Sequence, residues 1–171
     1  MPGMTKLVGM AEIHVLKASG TLQCLGLGSC IGLAVMDPSL KICGMVHIML
    51  PEHFADKPVD KPGKFADTGI KALLEQMQRE GADMRRLVMC YGGGAQVFKF
   101  GAGTEPKLDV GARNIVAVEN HLRKLGAKVV GKDVGGTQGR TMLVNVETGE
   151  VRVRTVDSAE RTLCQLARVA A

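Results

Sequence analysis

The sequence predicts an α+β fold: a single domain of mixed β-sheets packed with helices. Three observations carry that expectation. The chain has 171 residues, the length of one core-building unit. Apolar runs of strand length outnumber helical stripes. Glycine is dense, at 22 residues, and stands mostly in pairs and triplets that mark tight turns and close backbone approaches.

Taken in order, Leu7 to Leu16 and Thr21 to Leu27 read as two short strands around an Ala18-Ser19-Gly20 turn. Ile31 to Met36 is a buried strand or a short helix, which periodicity alone does not separate. Asp37-Pro38-Ser39 turns the chain into Ile42 to Leu50. Alternation there puts Ile42, Gly44, Val46 and Ile48 on one face and Cys43, Met45, His47 and Met49 on the other, until Pro51 ends the strand. Glu52 to Lys64, with Pro58 and Pro62, is an exposed polar loop. Ala66, Ile70, Leu73, Leu74 and Met77 recur at helical spacing, and Gly81 stops that helix. Leu87 to Tyr91 is a buried strand running into Gly92-Gly93-Gly94. A second helix spans about Gly111 to Leu125, with Ile115, Val118, Leu122 and Leu125 on one face and Gly126 at its end. Strands near Lys128 to Val134, Thr141 to Val146 and Glu150 to Val156 follow, the last two joined at Glu147-Thr148-Gly149. Asp157 stands three residues before Glu160, a capping-box spacing, so residues 157–171 are expected to form a tail or short helix.

Composition narrows the function classes. Hydrophobic residues at 46% and charged residues at 23% exclude a disordered, collagen-like or coiled-coil chain. Aromatics are 3% with no Trp, which argues against nucleic-acid binding by base stacking. The net charge of +5 is spread from Lys6 to Arg168 and suits an acidic protein partner better than nucleic acid. Apolar runs fall far short of the ~20 residues of a membrane helix, so any membrane contact is expected through a partner. Five cysteines is an odd number, and Met1 to Lys6 lacks a secretory apolar region, which together suggest reduced thiols and a cytoplasmic protein.

The strongest chemical constellation is Gly26-Leu27-Gly28-Ser29-Cys30 with His47 seventeen residues on. A thiol attacks as thiolate, and an imidazole takes its proton and later delivers one to the leaving group. The glycines let the chain bend before the thiol, and backbone N–H groups around Ser29 and Cys30 could hold an oxyanion. On the residues alone a second reading stands: Cys30 as a core thiol and His47 as a hydrogen-bonded structural histidine. A third use, zinc held by Cys24, Cys30, Cys43 and His47, is opposed by the spacing, since Cys43 and His47 on one strand lie about 13 Å apart. Cys90 and Cys164 look like core and tail residues without partners. Gly92-Gly93-Gly94 lacks the Lys-Ser/Thr of a phosphate loop, and Gly136-Thr137-Gln138-Gly139 lies between strands, where a nucleic-acid clamp loop would join helices. Arg113 and Arg140, nearest these turns, read as structural hydrogen-bonders or partner contacts. The loop Glu52 to Lys64 and the Gly92 to Gly94 turn are the expected recognition rim.

Six blocks in order, G-L-G-S-C-I-G-L-A-V-M-D, C-G-M-V-H-I-M-L-P, K-P-G-K-F-A-D-T-G-I-K-A-L-L, G-G-G-A-Q-V-F, V-G-A-R-N and D-V-G-G-T-Q-G-R, resemble the CheD family of chemoreceptor glutamine deamidases. The resemblance runs from about Leu7 to Val156 within one domain spanning residues 1–171. It implies a cysteine hydrolase that converts glutamine side chains on chemoreceptor cytoplasmic helices to glutamate. It also implies a fold related to toxin-type cysteine deamidases, no cofactor and no metal. It places Cys30 on the family nucleophile and His47 on the general base, and names the CheC phosphatase as a partner. One position departs: the family's threonine six residues before the nucleophile is Cys24 here, and the nearest threonine is Thr21. Cys24 or Thr21 is then the position for a third member, and the adopted reading is that a main-chain carbonyl near Cys24 orients His47. The alternative is a non-enzymatic chemotaxis adaptor binding receptors and CheC.

Overall fold

Both faces of one sheet are covered, and this decides where the other elements lie. The computed structural model describes residues 3–96 and 109–167. Its central sheet has the order β2-β5-β4-β6-β7, formed by Ile13–Lys17, Ile42–Ile48, Ile31–Asp37, Val88–Gly93 and Lys128–Val134. All seven residues of β4 and all seven of β5 are buried. Alternate side chains therefore face two different neighbours. On one side Leu33, Val35, Val46 and Ile48 pack under two helices, α1 (Ala66–Arg79) and α2 (Val110–Lys124). On the other, Ala34, Met36, Cys43 and Met45 meet Leu22, Met142, Val144 and Val151 of a second sheet. That sheet has the order β1-β3-β8-β9-β10, formed by Thr5–Leu7, Thr21–Leu27, Arg140–Asn145, Glu150–Thr155 and Arg161–Gln165. The result is three layers, helices on sheet on sheet, in an α+β arrangement of mixed sheets. The β1-β3 and β6-β7 pairs are parallel and the other ladders antiparallel.

The ambiguous segment after Cys30 is a strand, because a run buried on both faces needs no alternation. The face assignment of β5 holds residue by residue. Both helices end at glycines with positive φ, Gly81 at 106° and Gly126 at 64°.

Three expectations are corrected. Leu7 to Leu16 is not one strand: the chain turns at Ala11, φ 66°, so that β1 joins the outer sheet and β2 the central one. The described part of the tail, residues 157–167, is not a helix. Residues 161–165 form β10, antiparallel to β9, because outer-sheet pairing outweighs the local capping signal, and Asp157 takes a hydrogen bond from Gln138 instead. Leu125 leaves the buried face of α2 and is 53% exposed at the helix end. The last residues of the Gly92 to Phe98 block, Val97 and Phe98, lie outside the described residues.

One buried charge anchors the far end of β4. Asp37 is fully buried and accepts from Arg86 Nε at 3.0 Å and Nη2 at 2.8 Å, from the Asp83 amide at 2.9 Å and from the Ser39 amide at 3.1 Å. Burial alone would raise this carboxyl, but the Arg86 guanidinium and the two amides more than offset it and hold the group below its usual range.

Candidate active site

The site lies where β4 begins and β5 ends. Gly32 and His47 are direct partners in the β4-β5 ladder, so both face the outer sheet. Cys30 is two residues before Gly32, on the same side of the pleat, and packs against the inter-sheet core while remaining half-exposed. Nucleophile candidate and base candidate thus lie at the same end of the central sheet, toward the same face. Gly32 leaves the space beside His47 open: a Cβ there would lie 3.1 Å from Leu27 Cδ1 and 3.3 Å from Cys24 Sγ.

His47 is held at three points. Its amide donates to Glu12 O at 3.2 Å, its carbonyl accepts from the Ala11 amide at 2.9 Å, and Nδ1 lies 2.9 Å from the carbonyl of Val8. A carbonyl only accepts, so Nδ1 carries the proton and Nε2 keeps a lone pair. Burial depresses the imidazole below 6.5, opposed by the Val8 carbonyl and the Glu12 charge. Burial also raises the Cys30 thiol above 9.0. Burial thus disfavours the charged form of both groups, which suits general-base activation better than a preformed ion pair.

The peptides before Cys30 are fixed by their carbonyls. Gly28 O accepts from the Ala95 amide at 2.7 Å, Ser29 O from Asn114 Nδ2 at 2.8 Å and Cys30 O from the Gly94 amide at 2.9 Å. Every peptide bond described is trans, so each N–H points opposite to the preceding C=O. Pinning the Gly28 and Ser29 carbonyls thereby sets the Ser29 and Cys30 amides toward the other side of the turn. Two oriented amides beside Cys30 are what an oxyanion would require.

The candidates for a third member separate clearly. Cys24 is fully buried in the inter-sheet core, with Sγ 3.4 Å from Met45 Sδ, and burial together with the nearby Cys30 pushes its thiol strongly upward. Thr21 sits at the start of β3, half-buried on the face opposite Leu22 and Cys24, about 10 Å along the strand from Cys24. The group that orients the imidazole is a main-chain carbonyl, that of Val8, which follows the β1-β3 register to the position beside Cys24 and whose amide donates to Gln23 O at 2.8 Å. Cys43 lies at the opposite end of β5 from His47, buried, its thiol pushed up to about 12. The four residues weighed for zinc do not converge.

Other singled-out residues take structural places. Arg140 is buried, donates to the carbonyls of Asp133 and Gly135, and pairs with the Asp133 carboxylate at 3.2 Å. It thereby holds the Gly135-Gly136 turn. Arg113 lines a groove of about 670 Å³ beside Leu50, Pro51 and the 65% exposed Phe54, on the loop expected to form the rim. Cys90 and Cys164 are not solitary: Cys90 faces Gly131 across the β6-β7 ladder, and a Cβ on Gly131 would lie 3.3 Å from Cys164 Sγ. Asn114 was missed as a site residue and entered only within the V-G-A-R-N block. Its signal was its place four residues before Val118 on the apolar stripe of α2, where a polar side chain needs partners.

Comparison with known proteins agrees with this reading of the fold. A family model described as CheD chemotactic sensory transduction matches residues 49–155. A Thermotoga maritima protein named chemoreceptor glutamine deamidase CheD is 39% identical over 158 residues, covering 92% of this chain and 96% of the relative. Proteins named probable chemoreceptor glutamine deamidase CheD match from Caldanaerobacter subterraneus subsp. tengcongensis, 43% identical over 87% of this chain and 91% of the relative, and from Symbiobacterium thermophilum, 42% identical over 91% and 95%. With the family model spanning more than half of it and relatives aligned along nearly its whole length, the chain belongs to the CheD family.

Proposed function

We propose that this chain is a protein-glutamine deamidase that hydrolyses glutamine side-chain amides of chemoreceptors to glutamate, with Cys30 as nucleophile and His47 as general base. The observation that carries the reading is His47 held through Nδ1 at the Val8 carbonyl, which leaves Nε2 to take a proton, on the same sheet face as a half-exposed Cys30. The activity in the relatives' names supplies the substrate class.

The chemistry follows from that pair. Nε2 of His47 takes the Cys30 proton as Sγ attacks the side-chain carbonyl carbon of glutamine. The carbonyl oxygen becomes an oxyanion, which the Ser29 and Cys30 amides stabilise. The imidazolium returns its proton to the departing nitrogen, the C–N bond breaks, and ammonia leaves a thioester on Cys30. Water then attacks the thioester, His47 takes its proton, and cleavage of the C–S bond releases glutamate and restores the thiol. The groove beside Pro51 and Phe54 is where a receptor segment would lie. Among the described residues no helix is long and apolar enough to cross a membrane, and the place of action we propose is the cytoplasmic part of the receptors. A CheC phosphatase is the proposed regulatory partner.

The test is mass spectrometry of chemoreceptor cytoplasmic fragments after incubation with wild type and with Cys30→Ala. Conversion of glutamine to glutamate by wild type alone is expected. Conversion by Cys30→Ala would overturn the mechanism. Absence of conversion on a receptor that both proteins bind would favour a non-enzymatic adaptor.

A further inference from the structure

Cys30 and Met49 stand one step beyond the last β4-β5 ladder pair, Ile31 with Ile48. Their main chains turn to other partners there: Cys30 O accepts from Gly94, and the Met49 amide donates to Lys64 O at 2.9 Å. What ties the two strand ends together is one side chain from another layer. Asn114, fully buried on α2, donates through Nδ2 to Ser29 O at 2.8 Å and to Met49 O at 3.0 Å. One acceptor immediately precedes the nucleophile and the other lies two residues after the base. Asn114 Oδ1 is buried with no hydrogen-bond partner among the described residues, so the amide is oriented by these two donations alone. A buried acceptor left unmatched is tolerated where the remaining bonds of the group have a use.

The placement of Asn114 is built into the helix start. Asp109 caps α2 by accepting from the Ala112 amide at 2.9 Å. Gly111 then packs so closely on the turn after β6 that a Cβ there would meet Ala95 O at 2.5 Å and Gly94 O at 2.6 Å. Asn114 comes three residues later, one turn further along the face presented to Ser29 and Met49.

Resting on the deamidase reading for its reaction, we infer that Asn114 is a positioning residue for the Cys30–His47 pair. It sets the peptide whose N–H faces the oxyanion and fixes the separation of the nucleophile turn from the end of the base-bearing strand. It acts through these backbone groups and does not touch substrate.

The test compares Asn114→Ala and Asn114→Ser with wild type in two readouts taken per folded molecule. These are ammonia release from a receptor cytoplasmic fragment and the pH profile of Cys30 alkylation by iodoacetamide, followed by peptide mass spectrometry. Displacing a reacting group by about 1 Å can cost about 100-fold, so kcat should fall about 10- to 100-fold in Asn114→Ala with KM changed less than about twofold. Asn114→Ser, which keeps one donor, should recover part of the loss. The alkylation profile should shift in Asn114→Ala and partly return in Asn114→Ser. Unchanged kcat and an unchanged alkylation profile in either folded variant would overturn the role, as would a loss matched wholly by the unfolded fraction. If wild type releases no ammonia while the alkylation profile still responds to Asn114, the deamidase reading fails and the positioning role stands.

Discussion

Gly111→Ala isolates the close approach that seats α2 on the site. A Cβ at this position would begin 2.5 Å from Ala95 O and 2.6 Å from Gly94 O, both backbone atoms that cannot rotate away. To pass the 3.0 Å below which side-chain carbons are essentially never found, and to reach the 3.4 Å where ordinary contact begins, the first turn of the helix or the Gly94-Ala95 turn must give by about 0.5 and about 0.9 Å respectively. The same movement would stretch the Asn114 bonds, now 2.8 and 3.0 Å, past useful length, and would pull on Gly94, whose amide holds Cys30 O. Overpacking of this kind costs about 1–3 kcal/mol, while replacing glycine inside a helix returns about 1 kcal/mol. A net loss of up to about 2 kcal/mol lowers Tm by up to roughly 8 °C in a domain of this size. The catalytic effect should exceed that small destabilisation, a fall in kcat of about tenfold or more. Circular dichroism melting and ammonia release from a receptor fragment measure the two. A Gly111→Ala protein with wild-type Tm and wild-type kcat would refute the reasoning, because it would mean the helix can lift without disturbing the turn.

Four further outcomes are expected. Because His47 must be neutral to act and burial holds it below 6.5, kcat/KM should rise through a midpoint below that value and remain level through neutral pH. Alkylation of Cys30 in the absence of substrate should have its midpoint above 9.0, and an acidic midpoint would reveal a preformed ion pair instead. Arg86→Ala leaves the buried Asp37 carboxylate with its two amide donors and no guanidinium, a loss of about 1.5–3 kcal/mol at pH 7 seen as a lower denaturant midpoint. Asp37 is held below 3.8 in the folded state, so its contribution is present above that value and is lost as pH falls through the depressed folded one; the gap between Arg86→Ala and wild type should close there. Cys24→Ala should keep kcat within about threefold at a stability cost of about 1 kcal/mol, since Cys24 is a core residue and the Val8 carbonyl does the orienting. An inactive but folded Cys24→Ala protein would show that the thiol has a catalytic duty.

The sequence carried the central sheet and helices well because their signals are local. Alternation along Ile42 to Ile48 already separated the His47 face from the helix-facing one, and the terminal glycines marked both helix ends. Non-local choices were less legible. Nothing between Leu7 and Leu16 says that the two halves pair in different sheets, since that is settled by partners at Thr21 to Gln23 and Ile42 to Val46. The strand at 161–165 likewise depends on β9. Cys30 and His47 could be named from residue type and spacing, whereas Val8 could not, because a carbonyl has no signature in a sequence. Asn114 lies between these cases: a polar residue on an apolar stripe is visible, but its two acceptors at residues 29 and 49 come together only in the folded chain.

The use of a main-chain oxygen on His47 also bears on how this site can be damaged. A side-chain orienting group is erased by a single codon change, but every amino acid placed at position 8 supplies the same carbonyl. Scanning mutagenesis would therefore rank Val8 by the fit of its side chain in the core and pass over its electrostatic duty. Inheritance of the base's tautomer rests on the path of the chain from β1 to β2, so insertions or deletions between Leu7 and Ile13, and not substitutions, are the lesions that would expose it.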